Sequence, residues 1–409
     1  MESLEDFGGL DLDPHAKHLG GLLGTRTECK IAIVHDCLVH LGGAERVVQC
    51  LHSIFPDAPI YTLVGNEREV QQMLPGADVR YSFAHHLPGA GRFFRAYFPV
   101  YPVAAESLDL TGFDVVISSS YAFAKGILAP VSACHVCYCY TPLRYLWSEY
   151  QFNRNSVFRQ PWKRVFTDPL LHYLRMWDRL SADRVDHFIA ISQTTADRIR
   201  RFYRRESSII YPPVRVREVP LAVSSDDYFL LVTRLMSYKR VDIAVRAFNK
   251  LGLRLKIVGA GPEMANLRIF SQPNVEFLGA VSETTLEECY AGCRAFVYPG
   301  IEDFGIVMVE AQAHGKPVVA CSGGGASEIV ADGSTGVLFD DQTPDALIQA
   351  IKRLDSTELD PVRIRNHAMQ FDESRFKERI VGFVEEKWEE HRARSHVGSQ
   401  GETVKLQEP

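Results

Sequence analysis

Short apolar runs recur along this chain, separated by amphipathic or small-residue stretches of helical period. Lys30–Asp36 is the first run of strand type. A Leu41-Gly42-Gly43 turn follows it, then an amphipathic stretch from Ala44 to Leu51. Further strand-like runs stand at Pro59–Val64, Asp114–Ser118 and His135–Tyr140. His187–Ser192 is another, and it leads into a helical pattern over Thr195–Tyr203 for which Ser192 or Thr194 suits the N-cap. From Pro213 to Asp227, prolines, serines and acids show no period, which predicts a linker. The alternation then restarts at Tyr228–Thr233. It continues through Val241–Leu251, Leu255–Gly259, Val275–Gly279, Ser282–Ala291, Phe296–Pro299, Pro317–Cys321 and Pro344–Leu354. A last helical stretch places Phe376, Ile380, Phe383, Val384 and Trp388 on one face. Strand-helix alternation in both halves predicts an α/β protein of two Rossmann-like, doubly wound domains. The expected boundaries are a flexible tail at 1–28, a first domain at 29–212, a linker at 213–227, a second domain at 228–371, a terminal helix at 372–392 and a disordered tail at 393–409.

Composition narrows the class. A length of 409 residues exceeds one ordinary core, and 46% apolar with 23% charged residues is globular usage. No apolar run approaches the ~20 residues of a membrane helix. The acidic N-terminus lacks the basic and apolar regions of a signal peptide, and nine scattered cysteines fit a reducing cytoplasm. Cys134-His135-Val136-Cys137-Tyr138-Cys139 has a metal-like look, but it lacks a second Cys/His pair at zinc spacing, which favours buried thiols. The net charge of −6 divides unevenly: −4 over 1–28, +5 over 29–205 and −7 over the remainder. A mildly basic middle block points away from nucleic acid and towards an anionic ligand or lipid surface.

Candidate chemistry concentrates in Ile301–Gly325. Glu302 and Glu310 stand eight positions apart around Asp303-Phe304-Gly305-Ile306, between two strand runs, and Gly323-Gly324-Gly325 follows the second. Loops that leave the carboxyl ends of parallel strands are where ligands sit in such sheets. The plain alternative is a pair of solvated glutamates. Arg234 and Lys239 occupy the loop after the first strand of the second half, placed to hold a diphosphate as fork and point charge; surface cations in a loop are the alternative. Strand, Gly42-Gly43 and helix suits close approach to a phosphate or sugar, or merely a tight turn. Tyr81–Val103 and Arg154–Phe166 interleave basic residues with aromatics. Each is either a helical hairpin with a charged face or a surface for an amphiphilic acceptor or membrane interface.

In combination these residues resemble the large retaining glycosyltransferase family 4 with the GT-B fold, over residues 30 to about 390. The second half carries Val232-Thr233-Arg234 with Lys239-Arg240, Val258-Gly259-Ala260-Gly261-Pro262, Phe277-Leu278-Gly279, the Glu302/Glu310 pair and Gly323-Gly324-Gly325 with Glu328 in the family's order. In the first half, His35-Asp36 with Gly42-Gly43-Ala44-Glu45, Tyr140–Tyr145 and Ile191-Ser192 look like the bacterial branch of surface-polysaccharide mannosyltransferases. Tyr140 stands where many relatives carry His.

The resemblance implies two domains facing a central cleft, with the last helix crossing back to the first domain. It implies that Arg234 and Lys239 bind a donor diphosphate and that Glu310 binds the ribose. Glu302 with the backbone of Phe304, Gly305 and Ile306 would hold the sugar. Gly42 and Gly43 would face the diphosphate, Gly261 would lie on the donor side, and Val281 near the nucleobase. Tyr140, Arg144 and Ser192 would lie on the acceptor side. The expected donor is GDP-mannose, with no cofactor and no metal; the lone Asp-x-Asp string, Asp11-Leu12-Asp13, lies in the tail. The expected acceptor is a saccharide or lipid-linked saccharide, reached by a cytoplasmic protein in peripheral contact with the anionic inner face of the plasma membrane. Rival readings are a sugar-nucleotide epimerase or phosphorylase on the same fold, or a non-catalytic partner subunit. A phosphorylase needs a pyridoxal-binding lysine context that is absent. A non-catalytic partner would be expected to have lost one of Glu302, Glu310, Arg234 or Lys239.

Overall fold

The computed structural model of the chain describes residues 29–148, 150, 161–216 and 226–400. It contains two sheets. The first has seven strands: β1 (Ile31–Leu38), β2 (Ile60–Gly65), β3 (Val79–Tyr81), β4 (Val115–Ser120), β5 (Cys134–Cys139), β6 (His187–Ala190) and β7 (Ser207–Ile209). Their spatial order is β3-β2-β1-β4-β5-β6-β7. The second has six: β8 (Phe229–Val232), β9 (Leu255–Val258), β10 (Val275–Gly279), β11 (Ala295–Tyr298), β12 (Val318–Cys321) and β13 (Gly336–Phe339), in the order β10-β9-β8-β11-β12-β13. Pairing is parallel, with Ile33 opposite Ile60, and Leu230 between Lys256 and Phe296.

Parallel sheets covered on both faces need strands that are apolar throughout. Accordingly every residue of β1, β4 and β5 is buried. Helix Val241–Leu251 packs Val241, Val245 and Phe248 into the core of the second sheet, together with Leu347 and Ile351 of helix Pro344–Asp355. β3, β7 and β13 had no strand expectation. The first two are three-residue strands, too short for a period to register.

By packing, the chain divides into two compact units. One comprises residues up to Cys137, Met176–His187 and Lys377 onward; the other comprises Tyr138–Arg175 and Phe188–Phe376. The terminal helix therefore belongs with the first unit. There Phe383 meets the His187 ring edge-on at 6.3 Å and the Lys387 carbonyl lies 3.8 Å from the Cys134 thiol. This helix runs from Glu373 to Gln400, eight residues past the expected end at 392. An i,i+4 ion pair of Glu390 with Arg394 supports the added turns. The expected tail at 1–28, residues 401–409 of the expected tail at 393–409, residues 217–225 of the expected linker and residues 154–160 of the second basic-aromatic piece lie outside the described residues.

Two polar residues interrupt the apolar run of β1, His35 partnered through one ring nitrogen and Asp36 through both carboxylate oxygens. His35 Nδ1 lies 3.0 Å from both the carbonyl and the hydroxyl of Ser119. The Asp36 carboxylate accepts four backbone N–H groups, from Tyr121, Ala122, Phe123 and Ala124, at 2.5–2.9 Å. A buried carboxylate so bound fixes the loop after β4 against β1. Asp36→Ala leaves these buried donors unmatched. It should lower unfolding stability by about 3 kcal/mol or more, since each orphaned group costs ~1–3 kcal/mol. Urea denaturation of the variant checks this.

Candidate active site

Each sheet reverses its strand order at one place, between β1 and β4 in the first and between β8 and β11 in the second. Loops diverge at such a reversal and leave a crevice at the carboxyl ends of the strands. Of the residues singled out by sequence, Gly42, Arg234, Lys239 and Glu302 fall on the loops beside these two places, and Gly261, Val281, Tyr140 and Ser192 follow neighbouring strands.

In the second unit, Arg234 and Lys239 lie on the loop that follows β8, and Glu302 on the loop that follows β11. Gly300 lets the two loops touch, because a Cβ there would come within 2.8 Å of the Lys239 carbonyl. Lys239 Nζ forms an ion pair with Glu302 Oε1, with both side chains mostly shielded from solvent. Tyr298, at the end of β11, donates its hydroxyl to the same oxygen. Its own hydroxyl lies 3.3 Å from Thr233 Oγ1. Glu302 is thus held through one oxygen. Arg234 is exposed, and its guanidinium has no side-chain partner among the described residues. One fixed cation is therefore available and a second is stored on a carboxylate.

The acidic-glycine loop has its shape imposed from two sides. Gly305 adopts φ 111°, a left-handed value that favours glycine, and opens helix Ile306–Ala313. The triple-glycine loop after β12 lies directly against it. A Cβ on Gly324 would sit 2.0 Å from the Glu302 carbonyl, and one on Gly325 would sit 2.5 Å from Phe304 Cα. The Gly325 N–H donates to the Glu302 carbonyl at 2.9 Å. Phe304 is buried, stacked on Tyr211 at 5.6 Å and edge-on to Phe371 at 5.5 Å. Glu310 lies one turn into the helix, where the buried Tyr290 donates a hydrogen bond to its Oε2 at 2.8 Å. His314 stacks on the Tyr290 ring at 5.4 Å.

Gly261 supports the site from below. A Cβ there would come within 2.3 Å of the Leu235 carbonyl, so glycine lets the loop after β9 lie against the loop that carries Arg234. Val281 is half-buried between β10 and the Ser282-capped helix Glu283–Gly292.

The acceptor-side candidates fall in the same unit. Arg144 binds Asp303 through Nε at 3.0 Å, and Arg198 binds the other carboxylate oxygen. Arg198 also reaches Thr141 Oγ1 at 3.1 Å. Tyr140 is buried, and its carbonyl accepts from Thr195 Oγ1 at 3.1 Å. Ser192 is fully buried and acts as the N-cap of helix Gln193–Arg198, as its position suggested. The Gln193 N–H at that helix start points to both oxygens of Glu328 at 2.9 Å.

In the first unit, Gly42 is the N-cap of helix Gly43–Ile54. A Cβ there would sit 2.8 Å from Glu45 Oε2, and Glu45 Oε1 lies 3.7 Å from His35 Nε2. Of the Tyr81–Val103 piece, Tyr101 and Phe98 pack on Phe123, while Phe93, Arg92 and Arg95 are exposed. Arg92 lies over the Phe93 ring and Arg95 over the Phe94 ring.

Sequence reasoning passed over Asp303, Arg198, Tyr298 and Tyr290. Asp303 was in view between Glu302 and Phe304, but nothing in the linear pattern pairs it with arginines more than a hundred positions away. Tyr298 and Tyr290 read as ordinary apolar positions of a strand and a helix.

Two family models match this chain in tandem: Glycosyltransferase Family 4 over residues 41–218, and Glycosyl transferases group 1 over residues 226–356. Among curated proteins, the chain is 26% identical over 221 residues to an uncharacterized glycosyltransferase of Methanocaldococcus jannaschii, covering 53% of this chain and 63% of that one. It is 33% identical over 138 residues to the GDP-mannose-dependent alpha-(1-6)-phosphatidylinositol monomannoside mannosyltransferase of Mycolicibacterium smegmatis, covering 29% and 36%. Both matches span less than two thirds of the relative's own length. Among solved structures, HepE of Anabaena in complex with UDP and glucose superposes with a TM-score of 0.62 at 19% identity, covering 87% of this chain and 99% of that one. In order along the chain, then, one segment matches the family 4 glycosyltransferase model and the next matches the group 1 model. The fold of the chain is GT-B.

Burial pushes the Tyr298 phenol well above its ordinary value near 10, and the Glu302 carboxylate beside it adds to the effect. A group raised in this way contributes stability that is present below pH 10 and is lost as the pH rises further. The ultraviolet difference between wild type and Tyr298→Phe should therefore show no phenolate rise through pH 10, where exposed tyrosines ionise. A clear step near that pH would contradict the geometry.

Proposed function

We propose that this protein is a retaining glycosyltransferase. It moves a hexose, mannose, from a nucleoside diphosphate sugar to a saccharide or lipid-linked saccharide acceptor. The observation that carries this reading is the meeting of Lys239 and Glu302 at the strand-order reversal of the second sheet, with Arg234, on the same loop as Lys239, without a side-chain partner among the described residues. Cleavage of a sugar–diphosphate bond builds positive charge on the sugar ring and negative charge on the departing phosphate. Arg234 and Lys239 meet the second charge, and Lys239 turns from Glu302 to the diphosphate when donor binds. Glu302, released from Lys239 but still held by Tyr298, then orients the sugar hydroxyls. Glu310, oriented by Tyr290, takes the ribose. Retention follows when the acceptor arrives on the face the phosphate leaves, with a phosphate oxygen taking its proton. No divalent ion is assigned to the donor, because the two cations serve that purpose.

GDP-mannose is the proposed donor, on the strength of the branch resemblance and the GDP-mannose dependence of the Mycolicibacterium relative. The competing reading is a UDP-sugar, by likeness to the Anabaena structure that holds UDP and glucose. A thermal-shift panel of GDP-, UDP- and ADP-sugars separates them, since a ligand at ~100 times its Kd stabilises by ~2.7 kcal/mol. Turnover should survive EDTA at a temperature where circular dichroism shows the fold intact. Loss restored by magnesium or manganese would overturn the metal-free donor site.

Arg234→Ala and Lys239→Ala should each slow turnover by two to three orders of magnitude with the fold intact, since one lost charge-stabilising donor costs ~3–4 kcal/mol in the transition state. Glu310→Gln should raise the donor KM more than it lowers kcat. Near-normal rates for all three variants at saturating donor would overturn the site.

The acceptor is proposed to be membrane-borne, approached through the exposed Arg92, Phe93 and Arg95. Among the described residues no helix is long and apolar enough to cross a membrane, so the contact would be peripheral. Each basic residue near an anionic leaflet adds about 1 kcal/mol of attraction, screened by salt. Sedimentation with anionic vesicles should be salt-sensitive and lost in the double variant Arg92→Glu/Arg95→Glu. No binding to vesicles, with full activity on a short soluble oligosaccharide, would exclude a lipid surface.

A further inference from the structure

The strand that looked metal-like in sequence places its first cysteine in a setting the transfer reaction does not use. Cys134 opens β5, Asp186 directly precedes β6, and His391 lies on the terminal helix, all three within the first unit. Each offers one ligand atom, and the three atoms lie within 4.8 Å of one another. The nearby cysteines of the same strand are not involved: Cys137 and Cys139 are simply buried. His135 is engaged elsewhere, its Nε2 lying 2.8 Å from Ser118 Oγ.

We propose that Cys134, Asp186 and His391 form a structural zinc site that clips the terminal helix to the edge of β5 and β6, with water as the fourth ligand. The donor set is the reason for zinc. One thiolate, one imidazole and one carboxylate suit a borderline-soft, four-coordinate ion, whereas magnesium and calcium prefer oxygen alone. Zinc bonds of ~2.0–2.3 Å in a tetrahedron set ligand atoms about 3.3–3.8 Å apart. The observed spread therefore has to close by about 1 Å, within reach of side-chain rotation. Charge also balances: thiolate and carboxylate together neutralise the ion.

Neighbouring charges leave that balance in place. Glu390 pairs with Lys387 at 2.9 Å and with Arg394 at 3.6 Å, so the flanking helix face is internally compensated. Asp186 is already oriented, because its Oδ2 accepts the His135 N–H at 2.8 Å. Such an outer hydrogen bond holds a ligating carboxylate in place. Asp186 is exposed, which provides an entry path and room for the water.

Zinc binding replaces the S–H bond of Cys134 with a Zn–S bond and releases one proton to solvent.

The test uses the full chain without an affinity tag. The protein is stripped with chelator, given one equivalent of zinc and passed through gel filtration. Wild type should retain about one zinc per chain, and its thermal midpoint should rise relative to the stripped form. Cobalt in place of zinc should give a thiolate charge-transfer band in wild type. His391→Ala and Cys134→Ser should lose the retained metal, and Cys134→Ser the band, while Cys137→Ser keeps both. His391→Ala changes a partly exposed helix position, so it is expected to fold even if Cys134→Ser does not. No retained zinc in wild type, or equal retention in His391→Ala, would overturn the site. None of these readouts involves sugar transfer, so the donor-site assignment stands or falls separately.

Discussion

Parallel strands buried on both faces leave the polar chemistry of this protein nowhere to go but the strand ends. The β1 and β4 strands have no solvent face, and a polar side chain within them must find its partners in the protein. Asp36 does so by gathering the backbone of the loop after β4. The same constraint puts Arg234, Lys239 and Glu302 beyond the ends of β8 and β11, where the diverging chain gives room for a ligand.

Within that frame, glycine acts mainly by letting backbones meet. Gly261, Gly300, Gly324 and Gly325 each bring one loop against the backbone of another at distances a Cβ would forbid. The acidic-glycine loop is therefore wedged between the triple-glycine loop and a cluster of Phe304, Tyr211 and Phe371. Rigidity of this kind favours a site built to bind a strained species, because little reorganisation is needed when charge develops.

The fold was largely legible in the sequence. Long apolar runs such as Ile31–Leu38 and Phe229–Val232 announce buried strands, and the helix after Arg240 shows its amphipathic period plainly. Placement of the candidate site was legible where residue type and loop position are informative: Arg234 and Lys239 lie on the loop after β8, and Glu302 on the loop after β11. What escaped were partners fixed only in three dimensions. Tyr298 is one aromatic among several in a buried strand until its hydroxyl is seen on Glu302. The two arginines on Asp303 come from segments with no shared local pattern. Ser192 shows the reverse case. Both a cap and an acceptor contact were in view for it, and burial of its hydroxyl at the helix start commits it to the cap.

Asp303 is the direct chain neighbour of Glu302, and its carboxylate is the shared counter-ion of Arg144 and Arg198. Exchange of segments between related sequences is thereby restricted. A graft that brings in another chain's acidic-glycine loop without an acid at this position would leave two guanidinium groups facing each other across a vacated pocket. A graft that replaces the arginine-bearing segments alone would strand a nearly buried carboxylate one residue from Glu302. Residues 144, 198 and 303 therefore behave as one unit in such a graft, to be moved together or not at all.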